Sequence, residues 1–172
     1  MCEIKLNQKG FSLVELLIVI VIIGIIAAIA IPNLLASRRA ANEGSAISSL
    51  RTLHGAQMLY QTSTGGGNYA GTVSATGDTA GLTALNSTQL IDNILGGGSK
   101  SGYNFVGAIS LTNNSTPATF FFSANPVSAS GVTQSGTRRF CINQQGFLGA
   151  ETTNLATPFD DTTTLTATAF NN

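Results

Sequence analysis

The sequence contains one nearly continuous apolar run, FSLVELLIVIVIIGIIAAIAI, at residues 11–31. Fifteen of these twenty-one residues are Leu, Ile, Val or Phe. As an α-helix the run would be about 31 Å long, which is the thickness of a bilayer's hydrocarbon core. The Leu, Ile, Val and Phe side chains favour insertion by about 4.5–9 kcal/mol, whereas one acid at a helix centre opposes it by about 2.5–3.5 kcal/mol, and Glu15 lies near one end, where that cost is smaller. We therefore predict a transmembrane helix over residues 11–31.

Two residues weaken a regular helix in this region. Gly24 lies inside the run, and glycine lowers helix propensity by about 1 kcal/mol relative to alanine. Pro32 follows the run directly, and proline removes one backbone hydrogen bond and clashes with the preceding turn. We therefore expect a helix kink or local melting at Gly24 and Pro32.

The flanking charges leave the orientation of the helix open. Lys5 and Lys9 precede the run, whereas Arg38 and Arg39 follow it. Because the positive charges on the two sides are nearly equal, the positive-inside rule does not favour either orientation. Two simple interpretations are a plain membrane anchor and a secretory signal peptide cleaved after residues 28–30, which would release a secreted binding domain. Against the signal peptide, the apolar run is long and contains an acid.

A third interpretation comes from the residues around the start of the run. Residues 9–20 read KGFSLVELLIVI, and they resemble the class III signal of type IV pilins and related pseudopilins. Gly24 and the Ala-Ile-Pro step at residues 30–32 match that family as well. The resemblance covers about thirty residues of the chain, but the pattern is among the most specific short motifs in bacterial sequences.

The resemblance implies a processing route and an assembly role. In this family a prepilin peptidase cuts after the glycine and methylates the new N-terminal phenylalanine, so residues 1–10 would be a removed leader and Phe11 the N-methylated first residue. Gly10 gives the peptidase a flexible backbone at the scissile bond. The family's acid, here Glu15, is thought to meet the N-terminal amine of a neighbouring subunit, since an acid in hydrocarbon seeks a positive charge. The alternative is that Glu15 only reaches the lipid headgroups.

The segment after the apolar run continues as an amphipathic helix. Ile47, Leu50 and Leu53 recur at a spacing of three to four residues, and polar residues occupy the other side. Together with the apolar run, this pattern predicts one long N-terminal helix over residues 11–63.

Residues 64–172 are predicted to form a globular head. An apolar island at residues 82–95 predicts a short helix, and the Thr-rich residues 151–172 allow either an edge strand or a surface tail. Alternating apolar residues predict strands at 102–112, 119–123, 138–142 and 147–148, with a turn at Asn125–Pro126. The fold class is therefore α+β, a long N-terminal helix packed on a small antiparallel sheet of about four strands, whose apolar face the helix covers.

The head extends the resemblance and also departs from it. Residues 100–105 and 139–146 are similar to strand and hairpin elements of major pilin heads. Many pilins close a C-terminal loop with a disulfide, but Cys2 leaves with the leader and Cys141 is then the single cysteine of the mature chain. We therefore expect hydrogen bonds and packing to hold the C-terminal region. Type II secretion pseudopilins carry an acidic calcium loop and late tryptophans, and their weak counterpart here, Asp160–Asp161 without any tryptophan, favours a pilus subunit.

The composition argues against catalysis and against nucleic-acid binding. Eight basic and eight acidic residues balance, so no net field attracts nucleic acid. The single histidine, His54, has no second group beside it in the sequence to form a catalytic or metal set. Residues 96–101, GGGSKS, lack the glycine directly before the lysine that a phosphate-binding loop needs. We predict no enzymatic activity, no cofactor and no metal.

The function predicted from sequence is that of the major structural subunit of a type IV pilus. The expected partners are copies of the chain itself, the prepilin peptidase, the assembly machinery of the inner membrane and, before assembly, the lipid bilayer. The chain would be a single-pass protein of the bacterial inner membrane and then part of an extracellular filament. A pseudopilin of a type II secretion or DNA-uptake system is the first alternative. Motility, adhesion, DNA uptake and electron transport all stay open.

Overall fold

The computed structural model describes residues 10–113 and 116–159, together with the backbone of residues 168–169. The chain divides into two compact units, Met1–Ser37 and Arg38–Asn172. The first helix, α1, spans Leu13–Ser63 and contributes residues to both units. The predicted leader, apart from Gly10, lies outside the described residues.

The prediction of one long N-terminal helix is confirmed by α1, which is 51 residues long. Its large apolar side chains from Leu13 to Leu34 are almost all exposed. In the described part of the chain, α1 is the one helix that is long and apolar enough to cross a membrane. None of the residues in its most apolar 18-residue stretch is buried. The described residues of the first unit therefore present an exposed apolar helix surface.

Gly24 and Pro32 both lie inside α1, and the helix continues through them without a break. The local melting that was expected there does not occur in this structure, whereas the kink stays a prediction. Continuity is possible because the fixed φ of proline is compatible with a helix and only one hydrogen bond is lost. One residue later, the Asn33 amide donates from Nδ2 to the Ile29 carbonyl at 3.1 Å.

The second unit contains two short helices and a sheet. The predicted apolar island forms α2 and α3, and Asp92 caps α3 by accepting a hydrogen bond from the Leu95 N–H at 2.8 Å. In the described residues the sheet has six antiparallel strands in sequential order. The elements are α2 Ala80–Ser87, α3 Asn93–Gly96, β1 Ser99–Lys100, β2 Tyr103–Ser110, β3 Thr119–Pro126, β4 Arg139–Asn143, β5 Leu148–Glu151 and β6 Thr168–Ala169.

The α+β fold class is confirmed, with two corrections to the sheet. The four predicted strands correspond to β2–β5, but the sheet also contains β1, which is only two residues long and was not predicted. The strand β6 is the edge strand that was one of the two alternatives for residues 151–172. The predicted turn at Asn125–Pro126 is wrong, because both residues belong to β3 and Pro126 is paired with Tyr103. Proline has no N–H, and it is tolerated at the end of a strand because no further hydrogen bond of the ladder requires a donor there.

The register divides the sheet into two faces. The inner face carries Phe105, Phe122 and Phe140, which pack in one core with Leu50 and Leu53 of α1. The amphipathic part of α1 therefore covers the apolar face of the sheet, as predicted. Side chains alternate along a strand, so the intervening residues form the opposite surface, which we call the outer face. The outer face includes Asn104, Ser123, Asn125, Arg139 and Cys141.

Candidate processing and assembly site

The residues just before α1 form the candidate processing site. Gly10, Phe11 and Ser12 lie outside the helix, which begins at Leu13. A Cβ added at Gly10 would meet no atom within 4 Å, and Phe11 is 86% exposed. A peptide bond inside a helix is enclosed in the helix's own hydrogen-bond ladder. The Gly10–Phe11 bond lies before that ladder, between two residues that are both exposed.

Glu15 caps the start of its own helix. Its Oε2 atom accepts a hydrogen bond from the Ser12 N–H at 2.9 Å. A Ser at the N-cap followed by a Glu three residues later is the arrangement of a capping box, of which this bond is one half. The carboxylate also lies at the positive end of the helix dipole, where a negative charge is stabilising.

The interpretation from sequence assigned Glu15 to a partner amine or to lipid headgroups, and it missed this bond. The signal was present, because Ser12-x-x-Glu15 directly before an apolar run is the sequence pattern of a capping box. A cut after Gly10 would create an amine on Phe11, one residue before the N–H that Glu15 already binds. The carboxylate can therefore serve its own helix and still lie next to a newly formed positive charge.

The family profile described as the prokaryotic N-terminal methylation motif matches residues 5–31. The N-terminal segment of the chain is therefore similar to those of type IV pilins and type II secretion pseudopilins. The resemblance seen in residues 9–20 is thereby confirmed. The matched segment contains Gly10, Phe11, Glu15 and Gly24, whose individual roles stay predictions.

Individual relatives match about a third of the length of this chain. It is 53% identical over 55 residues to the type IV wide pilus major component PilA4 of Thermus thermophilus, covering 32% of this chain and 42% of that protein. It is 47% identical over 54 residues to the type IV major pilin protein PilA of Myxococcus xanthus, covering 31% and 24%. It is 39% identical over 55 residues to the type II secretion system core protein G of Klebsiella pneumoniae, covering 32% and 39%.

These matches span about two fifths or less of each relative's own length. No solved structure is significantly similar to the chain. The relatives include pilus subunits and a secretion-system core protein, so the shared N-terminal segment does not separate the two roles.

In the head of this pilin-like protein, Glu43 of α1 fixes the loop between β3 and β4. Its Oε1 atom accepts hydrogen bonds from the N–H and the hydroxyl of Thr137 at 2.7 and 2.6 Å. Its Oε2 atom accepts from Nε and Nη2 of Arg138 at 2.9 and 2.8 Å. Burial raises the pKa of Glu43, but the hydrogen bonds from Thr137 and Arg138 outweigh it and hold that pKa below its usual value. The carboxylate is therefore ionised when it binds the loop.

Neighbouring residues strengthen the same attachment. Asn42 donates from Nδ2 to the Ser135 carbonyl at 2.9 Å, and the Tyr103 hydroxyl donates to the Arg138 carbonyl at 2.7 Å. Burial raises the pKa of Tyr103, so its hydroxyl stays a donor. Gly136 is required beside it, because a Cβ there would collide with the Tyr103 side chain.

Arg139 fixes the C-terminal segment on the outer face. It donates from Nη2 to Glu151 at 2.5 Å and from Nη1 to the carbonyls of Thr157 and Pro158 at 3.0 and 3.2 Å. The next residue, Phe159, is fully buried, packs with Cys141 and donates its N–H to the Ser123 hydroxyl at 2.9 Å. The expectation that hydrogen bonds and packing hold the C-terminal region is therefore confirmed for residues 157–159.

The remaining chemically notable residues have structural partners. His54 is half-buried on α1, and its Nε2 atom hydrogen-bonds the Gln144 carbonyl at 3.2 Å. Lys100, in the segment resembling a phosphate loop, pairs with Asp92 at 3.0 Å. Within the part of the chain that the structure describes, no three His, Cys, Asp or Glu side chains are grouped so that they could hold a metal ion.

Proposed function

We propose that this chain is the major structural subunit of a type IV pilus. The observation that carries the proposal is that the methylation motif at residues 5–31 overlaps an apolar helix surface that the folded chain leaves exposed. A large exposed apolar surface is stable only against lipid or other protein. A bilayer supplies that environment before assembly, and neighbouring copies of the same helix supply it in a filament.

Processing prepares the helix for assembly. The prepilin peptidase cuts between Gly10 and Phe11, removes residues 1–10 and methylates the Phe11 amine. The accessible position of this bond before α1 supports the step. Glu15 then pairs with the Phe11 amine of a neighbouring subunit, because a carboxylate in apolar surroundings is stabilised by an opposite charge. That pairing sets the axial position of each subunit.

Gly24 and Pro32 supply the flexible point of the helix. Pro32 has no N–H, so the Ala28 carbonyl lacks its helical donor, and Gly24 lowers the intrinsic helix propensity nearby. A bend costs least where a hydrogen bond is already missing. The helix therefore bends or unwinds in this region when it moves from lipid into the filament.

The proposed location follows from these steps. The chain is a single-pass protein of the bacterial inner membrane before assembly, and it meets the pilus assembly machinery there. After assembly it is part of an extracellular filament built from copies of itself.

Mass spectrometry of the mature chain tests the processing steps directly. The expected first residue is Phe11 with one added methyl group, and electron microscopy of cells at native expression should show surface filaments that contain the chain. A mature chain that begins at Ile31 would refute retention of the apolar helix, and with it the proposal.

The similarity to core protein G favours one second candidate, a pseudopilin of a type II secretion system. Deletion of the gene separates the two roles. Loss of surface filaments with unchanged protein secretion supports the pilus subunit. Unchanged surface filaments with a secretion defect support the pseudopilin, as does a calcium ion bound to the purified chain.

A further inference from the structure

Two arginines stand side by side where the second unit begins. Arg38 is exposed, and Arg39 is half-buried and donates from Nε to the Gln134 carbonyl at 3.3 Å. The ion pairs among the described residues use other cations, so they leave both arginines without a described counter-charge. Two uncompensated positive charges therefore lie at this end of α1's contact with the head.

The loop between β3 and β4 packs at the same end. Arg39, Asn42 and Glu43 of α1 all hydrogen-bond residues 134–138. Residues further along α1 contact other parts of the head, as His54 does when it bonds to the turn between β4 and β5. The β3–β4 loop is therefore attached to the part of α1 that is nearest in sequence to the apolar run.

Two exposed valines belong to this loop. Val127 and Val132 are 56% and 74% exposed. Val132 is two residues from Gln134, whose carbonyl binds Arg39, so the chain holds it within about 7 Å of that contact. Positive charge and exposed apolar side chains thus occur together. We call the surface that they form the base of the head, which comprises Arg38, Arg39 and residues 127–138.

The base lies a short stretch of chain away from the predicted transmembrane segment. Arg38 follows Ile31, the last residue of the apolar run, by seven positions within α1. Seven helical residues rise about 10 Å, and the polar layer of a bilayer extends about 5–8 Å beyond its hydrocarbon core. An arginine side chain near the end of a membrane helix reaches back toward that layer. The guanidinium of Arg38 can therefore reach lipid phosphates.

We propose that the base of the head docks on anionic phospholipid headgroups of the membrane that holds α1. A guanidinium binds a phosphate through two parallel hydrogen bonds, and each basic residue at a membrane surface strengthens binding to anionic lipid about fivefold. Val132 adds an apolar contact within the polar layer. Glu43 does not repel the lipid, because it is 5% exposed and bonded to Arg138.

The inference rests on the membrane-inserted state of the proposed function, and it names the lipid that the unassembled subunit prefers. Docking holds the head against the bilayer while α1 is inserted. The contact must break when α1 leaves the membrane, so anionic lipid favours the stored subunit over the assembled one.

The test uses an introduced tryptophan, because the sequence contains none. Full-length Val132→Trp is reconstituted in vesicles of phosphatidylcholine alone or of an equal mixture with phosphatidylglycerol, both containing a lipid with a spin-labelled headgroup as quencher. The fluorescence of position 132 should be quenched more strongly, and its emission shifted to the blue, in the anionic vesicles. Val73→Trp is the matched reporter outside the base, since Val73 is 68% exposed, and its quenching should be the same in both vesicles.

Substitutions in the reporter chain identify the groups responsible. Arg38→Gln should lower the ratio of docked to undocked heads about fivefold, and the double variant with Arg39→Gln about thirtyfold. Arg51→Gln is the matched control, because this exposed arginine is thirteen positions further along α1, about 20 Å, which exceeds the screening length of about 8 Å at physiological salt. An unchanged thermal midpoint of Arg38→Gln shows that the head stays folded.

Equal quenching at position 132 in the two kinds of vesicle overturns the proposal, as does quenching that survives the double substitution. Flotation of the vesicles tests the proposed function separately. A chain that does not float with either vesicle refutes membrane insertion, and docking with it. A chain that floats with both, but shows no additional quenching in the anionic vesicles, refutes the docking alone.

Discussion

Arg139 stacks on Phe159, with its guanidinium carbon 3.9 Å from the ring centroid. The same guanidinium donates hydrogen bonds to Glu151 and to the carbonyls of Thr157 and Pro158. One side chain of β4 therefore fixes three successive residues on the outer face of the sheet. A planar guanidinium can stack and donate at the same time, which an ammonium group cannot do with this geometry.

The first prediction concerns this arginine. Arg139→Lys should lower the free energy of unfolding by about 2–4 kcal/mol, because Glu151 and two carbonyls lose donors in a largely buried place. Chemical denaturation of the full chain in detergent measures the change. The matched control is Arg51→Lys on the exposed surface of α1, which should change stability by less than about 0.5 kcal/mol. Equal stability of the two variants would show that the Arg139 contacts do not stabilise the head.

The second prediction concerns Cys141. If residues 1–10 are removed as we propose, this fully buried thiol is the single cysteine within residues 11–172. The thermal midpoint of the mature chain should therefore be the same with and without a reducing agent. A thiol-specific alkylating reagent should label Cys141 only at the rate at which the head opens. A midpoint that falls in reductant would contradict the prediction and reveal a disulfide between chains.

Where a hydrophobic pattern extends over many residues, it was sufficient to predict the helix or strand that these residues form. The apolar run and the spacing of Ile47, Leu50 and Leu53 predicted a helix within two residues of the start of α1. The strands β2–β5 followed from alternation, and β6 was one of two alternatives for residues 151–172, whereas β1 is too short to show any alternation. Pro126 was assigned to a turn because proline is common in turns, but it is paired with Tyr103 and belongs to β3.

The candidate processing residues also came from a local pattern, since Gly10, Phe11 and Glu15 lie within six positions of one another. The contacts that stabilise the head could not be predicted from a local pattern. Glu43 and Thr137 are 94 positions apart in the chain, and no periodicity relates such distant residues. Only the fold brings them together, so the sequence could predict that the C-terminal region needs polar contacts without naming them.

The third prediction concerns acid stability through Glu43. Its pKa is lower in the folded chain than its ordinary value of 4.5, so the group contributes stability that is fully present above pH 4.5. That contribution is lost as the pH falls from 4.5 through the lower folded pKa. Glu43→Gln should therefore be less stable than the parent by about 2–4 kcal/mol at pH 7, and the difference should shrink below pH 4.5.

Unfolding curves from pH 7 to pH 3 (roughly the range over which carboxylates titrate) check the convergence of the two proteins. The comparison variant is Glu151→Gln, which removes the acid that pairs with Arg139 and leaves the contacts of Glu43 with Thr137 and Arg138 in place. A difference between parent and Glu43→Gln that stays constant over the whole range would mean that ionised Glu43 does not stabilise the loop.

The fourth prediction separates two roles of Glu15. Glu15→Gln keeps an oxygen that can accept from the Ser12 N–H, but it removes the negative charge. This variant should insert, be cleaved and retain the start of α1, yet filament yield should fall about tenfold or more if pairing with a neighbour's amine drives assembly. Glu15→Ala also loses the cap, which lowers helix stability by about 0.5–2 kcal/mol, so the first turn of α1 should fray as well.

Ser12→Ala is the matched control, because it keeps the backbone N–H that Glu15 binds and should assemble like the parent. Hydrogen exchange at the first turn of α1 reports the cap, and filament yield reports the charge. Normal filaments from Glu15→Gln together with none from Glu15→Ala would assign assembly to the cap alone. In that case the carboxylate would act within its own subunit, by fixing where the helix begins, and the pairing between subunits would be refuted.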